Sequence, residues 1–483
     1  MRTSLFFLVS FYMCLQQASA FCGFYVAKAD ASLFNQASQV ILVRDGQKLT
    51  ITMSNDYEGE AKDFAMVVPV PVVLKEDQIK VVEHSIFDVL DAYSAPRLVE
   101  YFDNNPCQKY YEEDWGSGDD AEASYDEMPK SSMTQEESKY KVKIEAKYTV
   151  GEYDILILSA KESGGLEKWL HANGYQIPKK AKEVLKPYIN SEMKFFVVKV
   201  NLEEQQKTQS QTLRPLQISF DSPKFMLPIR LGMANAKTFQ DLIIYSFTKT
   251  GRTECSNYRT IPMPTALQIP MGTKDIFPLF YKTIFDKQYE EAQKAGIFLE
   301  YAWNIQSQSF FACDPCVSDP PFYKDLQMAG VNWVTSNQNS EENYGSAADF
   351  NGDFFITRMH VRYDRAHFPQ DLVFQETPNI ENFQVRYILT HDAQGDLDCE
   401  AANAYKQELM QRKNKEMDNL FALTNWEQLP INGIPQKVEN QEDKNFFVPF
   451  LGKNTPPFLP YVVLILSLVA LALGAYQWKR INA

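Results

Sequence analysis

The sequence predicts an α+β protein made mostly of antiparallel β-sheet subdomains with short helices, a disulfide-tied ectodomain and one C-terminal transmembrane helix. Three observations predict this class. Segments with strand periodicity come in runs instead of alternating with long helices. Six cysteines follow residue 20, and 21 uncharged residues, 458–478, lie just before the C-terminus. About 435 residues lie between the two ends, which is enough for two or three subdomains.

The chain begins with the features of a secretory signal peptide. Residues 1–20 combine the positive charge of Arg2, an apolar run over 5–15 and a small-residue cleavage site that ends at Ala20. An N-terminal membrane helix is the alternative, but roughly 11 apolar residues are too few to span a bilayer. We therefore expect cleavage after Ala20 and export of the rest of the chain.

The first mature segment, residues 21–107, is predicted to begin with a β-hairpin. QVILVRDGQKLTITM alternates around Asp45-Gly46, a dipeptide typical of two-residue turns, so one face of the hairpin should be buried. FAMVVPVPVV continues the strand pattern. Pro69 and Pro71 cannot donate to a ladder, which predicts that this strand lies at the edge of a sheet.

Two short helices and an acidic insertion are predicted next. SIFDVLDAYSAPRLVEYFDNNPC reads as two helices with Ser85 and Ser94 as N-cap candidates. Residues 112–127 carry eight acidic side chains and no basic one. A divalent-cation loop would need fixed ligand spacing, which is absent, so we predict a disordered, solvated insertion over 108–140.

Two further β-rich subdomains are predicted over 141–254 and 255–426. Strand patterns occur in KVKIEAKYTV, YDILILSA, KFFVVKVNL, LQISF and DLIIYSF, and then in FLEYAWNI, DFFITRMHVRY and FQVRYILTH. GGLEKWLHANGY predicts a short helix, and the charged pattern from Cys399 to about Trp426 predicts a longer one. Residues 427–457, with their Asn, Gln and Pro, are predicted to form a stalk.

Residues 458–478 are predicted to cross the membrane, because 21 helical residues reach about 30 Å, the thickness of the hydrocarbon core. Lys479 and Arg480 follow at once, and positive charge stays cytoplasmic. We therefore expect a single-pass membrane protein with a periplasmic, extracytoplasmic ectodomain and a short cytoplasmic tail over 479–483.

The net charge of −14 argues against nucleic acid as a partner, because nucleic-acid binding needs a basic face. The expected partners are the membrane, through the C-terminal helix, and a protein or glycan of the envelope. No cofactor and no metal site are predicted. No metalloprotease, nucleophile-elbow or P-loop motif occurs either.

Removal of residues 1–20 leaves six disulfide candidates, Cys22, Cys107, Cys255, Cys313, Cys316 and Cys399. An even number in an oxidising compartment favours three disulfides, with the pairing left open. The CxxC spacing of Cys313 and Cys316 has three interpretations: structural bonding, a redox-active pair, or half of a zinc site. Structural bonding is favoured because VSDPP follows where a redox pair needs a helix start, and because Asp314 disfavours a thiolate.

The candidate binding residues lie in TRMHVRYDRAHFP. On a strand, Arg358, His360 and Arg362 share one face and could together bind an anion such as a carboxylate, a phosphate or an acidic glycan. The alternative, which we favour, is a solvent-facing strand whose arginines pair with carboxylates of this acidic chain.

Several longer motifs resemble one bacterial family. These are FCGFYVAKADASLFNQASQVILVRDG, DFAMVVPVPVV, DAYSAPRLVEYFDNNPC, YTVGEYDILILSAKESGGLEKWLHANGYQIP, SPKFMLPIRLG, EYAW, CDPC and HVRYDRAHFPQDLVFQET. Over nearly all of residues 20–400, the chain resembles the family catalogued as domain of unknown function 2330. The resemblance implies a bacterial extracytoplasmic protein whose shared framework includes Cys22, Cys107, Cys313 and Cys316. It implies no catalytic residue, cofactor or substrate.

We therefore expect a non-enzymatic, membrane-anchored binding or scaffold protein of the bacterial envelope. Two alternatives stay open. One is an extracytoplasmic thiol–disulfide oxidoreductase that uses Cys313 and Cys316, and the other is a hydrolase of envelope polymers.

Overall fold

The computed structural model describes residues 24–27, 38–54, 64–108, 136–137, 142–160, 163–173, 181–201, 203–204, 213–234, 239–307, 320–337 and 348–430. Within these ranges the protein is mixed α+β, mostly sheet with few short helices, as the sequence predicts. The chain divides into two compact units, Met1–Thr424 and Asn425–Ala483, and every element below belongs to the first.

The strands in chain order are β1 (Phe24–Ala27), β2 (Ser38–Asp45), β3 (Lys48–Met53), β4 (Phe64–Val70), β5 (Ile79–Val81), β6 (Arg97–Phe102), β7 (Glu136–Glu137), β8 (Val142–Val150), β9 (Tyr153–Ala160), β10 (Lys194–Val200), β11 (Leu216–Asp221), β12 (Met226–Leu227), β13 (Gln240–Thr248), β14 (Thr253–Cys255), β15 (Arg259–Pro262), β16 (Leu267–Gln268), β17 (Gly296–Ile305), β18 (Thr335–Ser336), β19 (Phe350–Asn351), β20 (Phe354–Tyr363), β21 (Leu372–Glu376), β22 (Phe383–Gln384) and β23 (Arg386–His391). The α-helices are α1 (Ser85–Ser94), α2 (Ser163–Ala172), α3 (Ala181–Asn190), α4 (Phe277–Glu291), α5 (Tyr323–Ala329) and α6 (Glu400–Thr424).

Two large sheets pack face to face and carry helices on their outer sides. The nine-stranded sheet has the order β15-β17-β20-β13-β2-β3-β11-β5, with β22 beside β17, and the six-stranded sheet has the order β1-β4-β10-β9-β8-β7. Their inner faces share one apolar core. The outer face of the larger sheet packs on α1 and α5, and that of the smaller sheet on α2 and α3. Strands from all three segments predicted as subdomains therefore join one sheet.

The predicted hairpin of β2 and β3 is confirmed, with two differences. Asp45 pairs with Lys48, so the turn lies at Gly46-Gln47, one residue later than predicted. Only the first turn residue, Gly46, has a positive φ (58°), which is the glycine position of a type II′ turn. Both faces of the hairpin are buried, including Thr50 and Thr52, because sheet and helices cover opposite sides.

The prediction that FAMVVPVPVV lies at an edge is wrong. Residues 64–70 of this segment form β4, which lies between β1 and β10. β1 pairs β4 only as far as Val67, and Pro69 lies two residues beyond that point. The missing N–H of Pro69 therefore removes no bond to β1.

The second of the two predicted short helices is also wrong. Residues 97–102 form β6, which pairs in parallel with β23 nearly three hundred residues later in the sequence. Ser94 caps no helix start, since it is the last residue of α1 and its hydroxyl donates to the Leu90 carbonyl. A partner strand so distant in sequence leaves no local pattern by which β6 could be recognised.

One disulfide joins the loop after β6 to the start of α6. Cys107 and Cys399 are bonded across a sequence separation of 292 residues. Cys255, one of the six disulfide candidates, is instead a free, buried thiol. Cys22, Cys313 and Cys316 lie outside the described residues, so their bonding stays a prediction.

The described residues include no helix that is both long and apolar enough to cross a bilayer. The expected signal peptide over 1–20, most of the acidic insertion over 108–140, the stalk beyond residue 430 and the expected span over 458–478 all lie outside these residues. They stay predictions from the sequence.

Replacement of Cys107 and Cys399 together by serine should lower the free energy of unfolding by about 2–5 kcal/mol, because the bond shortens the loops available to the unfolded chain. Thermal unfolding of the purified protein measures this change. In a Cys255→Ala background the same pair of substitutions should have the same effect. An unchanged unfolding temperature in the double variant would contradict a stabilising role for this bond.

Candidate functional site

The three residues predicted to bind an anion do share one face of β20. Arg358, His360 and Arg362 alternate along the strand on the side that packs against α1, α4 and α5. The strand is not solvent-facing, since the two arginines are only 6% and 8% exposed. Charged groups at this depth need partners, because unpaired burial of a charge is very costly.

Arg358 is paired with two carboxylates from other elements. Its Nε donates to Glu300 Oε2 at 2.6 Å, and its Nη1 donates to Asp91 Oδ1 of α1, also at 2.6 Å. The guanidinium also lies over the ring of Tyr245 in the adjacent strand β13. The pKa of Arg358 is raised, because the nearby Tyr245 and the two carboxylates together outweigh the desolvation that lowers it. Arg358 therefore stays charged inside the protein.

Arg362, four residues further along β20, makes a similar set of contacts. It donates to both oxygens of Asp241, at 2.8 and 3.0 Å, in the forked geometry that suits a guanidinium. Its Nη1 donates to Asp286 Oδ1 of α4 at 2.6 Å. The backbone register places Asp241 directly opposite Arg362 on β13, so the strand pairing itself brings this pair together.

His360 lies between the two arginines and contacts a carboxylate through each ring nitrogen. Its Nδ1 is 3.2 Å from Glu300 Oε1, within hydrogen-bond distance. Its Nε2 is 3.4 Å from Asp241 Oδ1, close enough for an ion pair, but this contact lacks the geometry of a hydrogen bond. The ring stacks on Phe285 of α4 at 3.8 Å between centroids. Although burial lowers the pKa of His360, the two carboxylates raise it further, so the net direction is upward.

Glu300 is the centre of this network. Its oxygens accept from Arg358, from His360 and from the hydroxyl of Tyr281 on α4, the last at 2.6 Å. Burial raises the pKa of Glu300, but the Arg358 charge and the His360 contact lower it to about 2. Glu300 also lies where the register between β17 and β20 shifts, between Leu299 and Tyr301. Such a bulge turns a side chain that regular alternation would send elsewhere.

The network leaves little capacity for an external anion. Three cationic side chains face four carboxylates, those of Asp91, Asp241, Asp286 and Glu300. An anion that reached Arg358 or Arg362 would have to displace a carboxylate already held at hydrogen-bond distance. The favoured interpretation of pairing with internal carboxylates fits this geometry, although the strand is buried and not solvent-facing. Within the described ranges no three or more His, Cys, Asp or Glu side chains are arranged to hold a metal.

A separate pocket of about 330 Å³ opens between the two large sheets, where β3 and β11 of the larger sheet face β4 of the smaller one. We call it the proline pocket because five prolines line it: Pro69, Pro71, Pro187, Pro223 and Pro228. Its floor is apolar, with Ile51 of β3 and Phe220 of β11 both buried. The volume and the apolar lining lie in the range found for small-molecule sites.

One wall of the proline pocket is fixed by a buried carboxylate. Asp371, 5% exposed, accepts from the Tyr188 hydroxyl at 2.5 Å and from the backbone N–H groups of Ile229 and Arg230. The Arg230 guanidinium donates to the other Asp371 oxygen at 2.6 Å and lies over the Tyr188 ring. Burial, together with the neighbouring Asp371 charge, raises the pKa of Tyr188 well above its ordinary value. These contacts hold α3 and the 229–230 segment in place around the pocket.

The rim of the proline pocket carries an available cation. Lys224 lines the pocket and is exposed, and its ammonium has no hydrogen bond or ion pair with any residue in the described ranges. Pro71, Ser191 and Pro223 are the other exposed residues that line the pocket. No motif in the sequence marks this site, because its lining comes from five separate stretches of the chain.

A family model described as "Uncharacterized protein conserved in bacteria (DUF2330)" matches residues 16–375. The chain belongs to this family. The resemblance inferred from the sequence motifs is thereby confirmed, and every residue that lines the proline pocket falls inside the matched range.

One similar solved structure is that of a mutated baculovirus P35 after caspase cleavage, which is 9% identical in sequence. The match covers 70% of this chain and 99% of that chain with a TM-score of 0.28, which is too low to support any argument. No curated protein matches the chain.

The buried network makes stability depend on pH. The folded protein holds the pKa of both Glu300 and Asp241 at about 2, below their ordinary values of 4.5 and 3.8. Their contribution to stability is therefore full above the ordinary values and is lost as pH falls towards 2. His360 has a raised pKa, so its contribution is present below 6.5 and is lost as pH rises through the higher folded value. The unfolding temperature should therefore fall both at acid pH, where the two carboxylates become protonated, and at higher pH, where His360 loses its proton.

Glu300→Gln tests this assignment. The variant should be less stable by about 3–5 kcal/mol near neutral pH, because Arg358 and His360 lose a buried partner. Its stability should also fall less steeply below pH 4.5 than that of the wild type. Glu381→Gln, at an exposed carboxylate, should change neither quantity. An equally steep acid limb in Glu300→Gln would contradict the role given to Glu300.

Proposed function

We propose that the protein is a membrane-anchored binding protein of the bacterial envelope, and that the proline pocket holds a small amphiphile with an apolar body and an anionic end. Export and anchoring rest on the sequence of residues 1–20 and 458–478. The binding role rests on one observation above all: a preformed apolar pocket with Lys224 available at its rim.

The fixed wall supports binding because little has to be ordered when a ligand enters. Tyr188, Arg230 and Asp371 satisfy one another, so the pocket does not need a ligand to complete their hydrogen bonds. A ligand therefore loses less of its binding free energy to rearrangement of the site. The proline rings add to this rigidity, since each fixes its backbone φ.

The chemistry of the lining supports an amphiphile. Apolar ligand surface buried against Ile51 and Phe220 gains about 25 cal/mol per Å² removed from water. An anionic group at the mouth would meet the ammonium of Lys224, which no residue in the described ranges engages, whereas Arg230 is already engaged by Asp371. A polar, uncharged ligand would gain neither contribution.

The dye 8-anilinonaphthalene-1-sulfonate combines an apolar body with an anion and should bind saturably, with decanoate competing for the site. Lys224→Met should weaken this binding by about tenfold, which is 1.4 kcal/mol. The uncharged analogue N-phenyl-1-naphthylamine should be affected much less by the same change. Ser191→Trp should reduce binding of both dyes because the indole fills the mouth. Fluorescence titration of the folded protein measures each affinity.

Lys48→Met is the matched control, since Lys48 is an exposed lysine on β3 that does not line the pocket. It should leave both dyes unaffected. Binding that survives Ser191→Trp, or that Lys48→Met and Lys224→Met weaken equally, would place the dye elsewhere and refute the proposal for the pocket.

The membrane anchor has its own test. The full chain expressed in a bacterium should stay in the membrane fraction after carbonate washing. Leu466→Arg with Leu468→Arg should release it, because each arginine near the centre of a span costs about 2.5–3.5 kcal/mol. Leu466→Ile with Leu468→Ile should stay in the membrane fraction. Release of the wild type, or retention of the arginine variant, would contradict anchoring through residues 458–478.

The described structure gives no support to the two enzymatic alternatives. Cys313 and Cys316 lie outside the described residues, so no contact there favours an oxidoreductase. Glu300, which is buried, and Asp241, which is partly buried, are both engaged by arginine and histidine. A hydrolase would need such groups to face a substrate.

A further inference from the structure

A second open site lies at the carboxyl ends of three parallel strands. β16 pairs in parallel with β23, and β23 pairs in parallel with β6, so the three strands end at the same edge of their small sheet. A cleft of about 430 Å³ opens there, between this edge and α6. We call it the strand-end cleft. Crevices outside the carboxyl ends of parallel strands are recurrent ligand sites, because the chain leaves each strand there in a loop.

The wall that follows β6 is firmly held. The Asn105 side chain donates to the backbone carbonyls of Gln394 and Asp396 and accepts from the N–H of Cys107. Cys107 is in turn bonded to Cys399, next to the first residue of α6. Asp103 and Asn104, which line the cleft, therefore sit on a fixed segment.

Helix α6 is fixed as the opposite wall. The Tyr405 hydroxyl donates to Asp103 Oδ2 at 2.7 Å, and Arg412 Nη1 donates to Asp103 Oδ1 at 2.9 Å. Asn419 further along the helix donates to the backbone carbonyl of Gln268, the last residue of β16. The cleft is thus a built feature of the fold that keeps its shape without a ligand.

The remaining polar side chains of the cleft are unused. Five residues that line it make no side-chain hydrogen bond or ion pair with any residue in the described ranges: Asn104, Gln268, Glu408, Gln411 and Lys415. Three of these are primary amides, each with two donors and one acceptor oxygen. This arrangement differs from the network around Glu300, where the protein satisfies its own polar groups.

The charge of the cleft is balanced. Asp103 and Glu408 oppose Arg412 and Lys415, so the lining favours neither an anion nor a cation. Phe102, 71% exposed, directly precedes Asp103 but does not line the cleft, because neighbouring side chains of a strand point to opposite faces. The Phe102 ring stacks on His391 at the end of β23, at 4.2 Å between centroids.

We infer that the strand-end cleft binds a neutral oligosaccharide of N-acetylated amino sugars. The acetamido group offers one N–H donor and one carbonyl acceptor, which match the paired donors and acceptor of Asn104, Gln268 and Gln411. Sugar hydroxyls can use Glu408 and Lys415 in the same way.

The strand-end cleft shares no lining residue with the proline pocket, so a failure of one proposal would leave the other untouched. Calorimetric titration of the full-length protein in detergent with the tetramer of N-acetylglucosamine tests the inference. Saturable binding is expected. Gln268→Ala with Gln411→Ala should weaken it by at least about tenfold, whereas Phe102→Ala should leave it unchanged because Phe102 does not line the cleft. The fully deacetylated tetramer should bind at least about tenfold more weakly, because it lacks the acetamido groups.

Met410→Ala is the matched control, since Met410 is exposed on α6 and does not line the cleft. It should bind the tetramer as the wild type does, and thermal unfolding should be the same for all variants. Three results would overturn the inference: no saturable binding, equal binding of the deacetylated tetramer, or binding unchanged by the double glutamine variant. Competition by inorganic phosphate would identify an anion site and would also overturn it.

Discussion

The carboxylate of Glu300 is the group on which the helical side of the larger sheet depends. It is buried in the middle of β17 and accepts from Arg358 and His360 of β20 and from Tyr281 of α4. Because an unpaired buried charge costs several kcal/mol, these bonds leave little freedom in the register of the two strands or in the position of the helix. The bulge at Glu300 is the local adjustment that makes the arrangement possible, since it turns Glu300 and Tyr301 towards the same side.

The contrast between paired and unpaired polar groups separates structure from binding in this protein. Around Glu300 nearly every charged side chain forms an ion pair with another residue of the same chain. These pairs make the region rigid and occupy the predicted anion-binding residues. Lys224 at the proline pocket and the amides of the strand-end cleft are different, since the described structure gives their side chains no partner. Groups that a protein holds in place but does not satisfy are those that can exchange water for a ligand.

Local patterns in the sequence were sufficient where the structure is local. The strands β8 and β9, the helix α2 and the long helix α6 lie where periodicity predicts them, and the shared face of Arg358, His360 and Arg362 follows from the two-residue repeat of a strand. Prediction failed where a remote partner decides the outcome. β6 is a strand because β23 pairs with it, and the hairpin has two buried faces because it lies inside a nine-stranded sheet. One signal was available: Glu300 interrupts the apolar segment FLEYAW, and a charge in such a strand needs a buried partner.

The parallel pairing of β6 with β23 has a consequence for biogenesis. Residues 97–102 leave the ribosome long before residues 386–391, so the edge of the early strand stays open until almost all of the protein has been made. The same delay applies to the sulfur of Cys107, whose partner comes 292 residues later. Contacts this distant make folding slow and leave unfinished chains exposed to aggregation. A chain truncated before β23 would therefore carry an unpaired strand and a reactive thiol, both of which a quality-control protease or an oxidase could recognise.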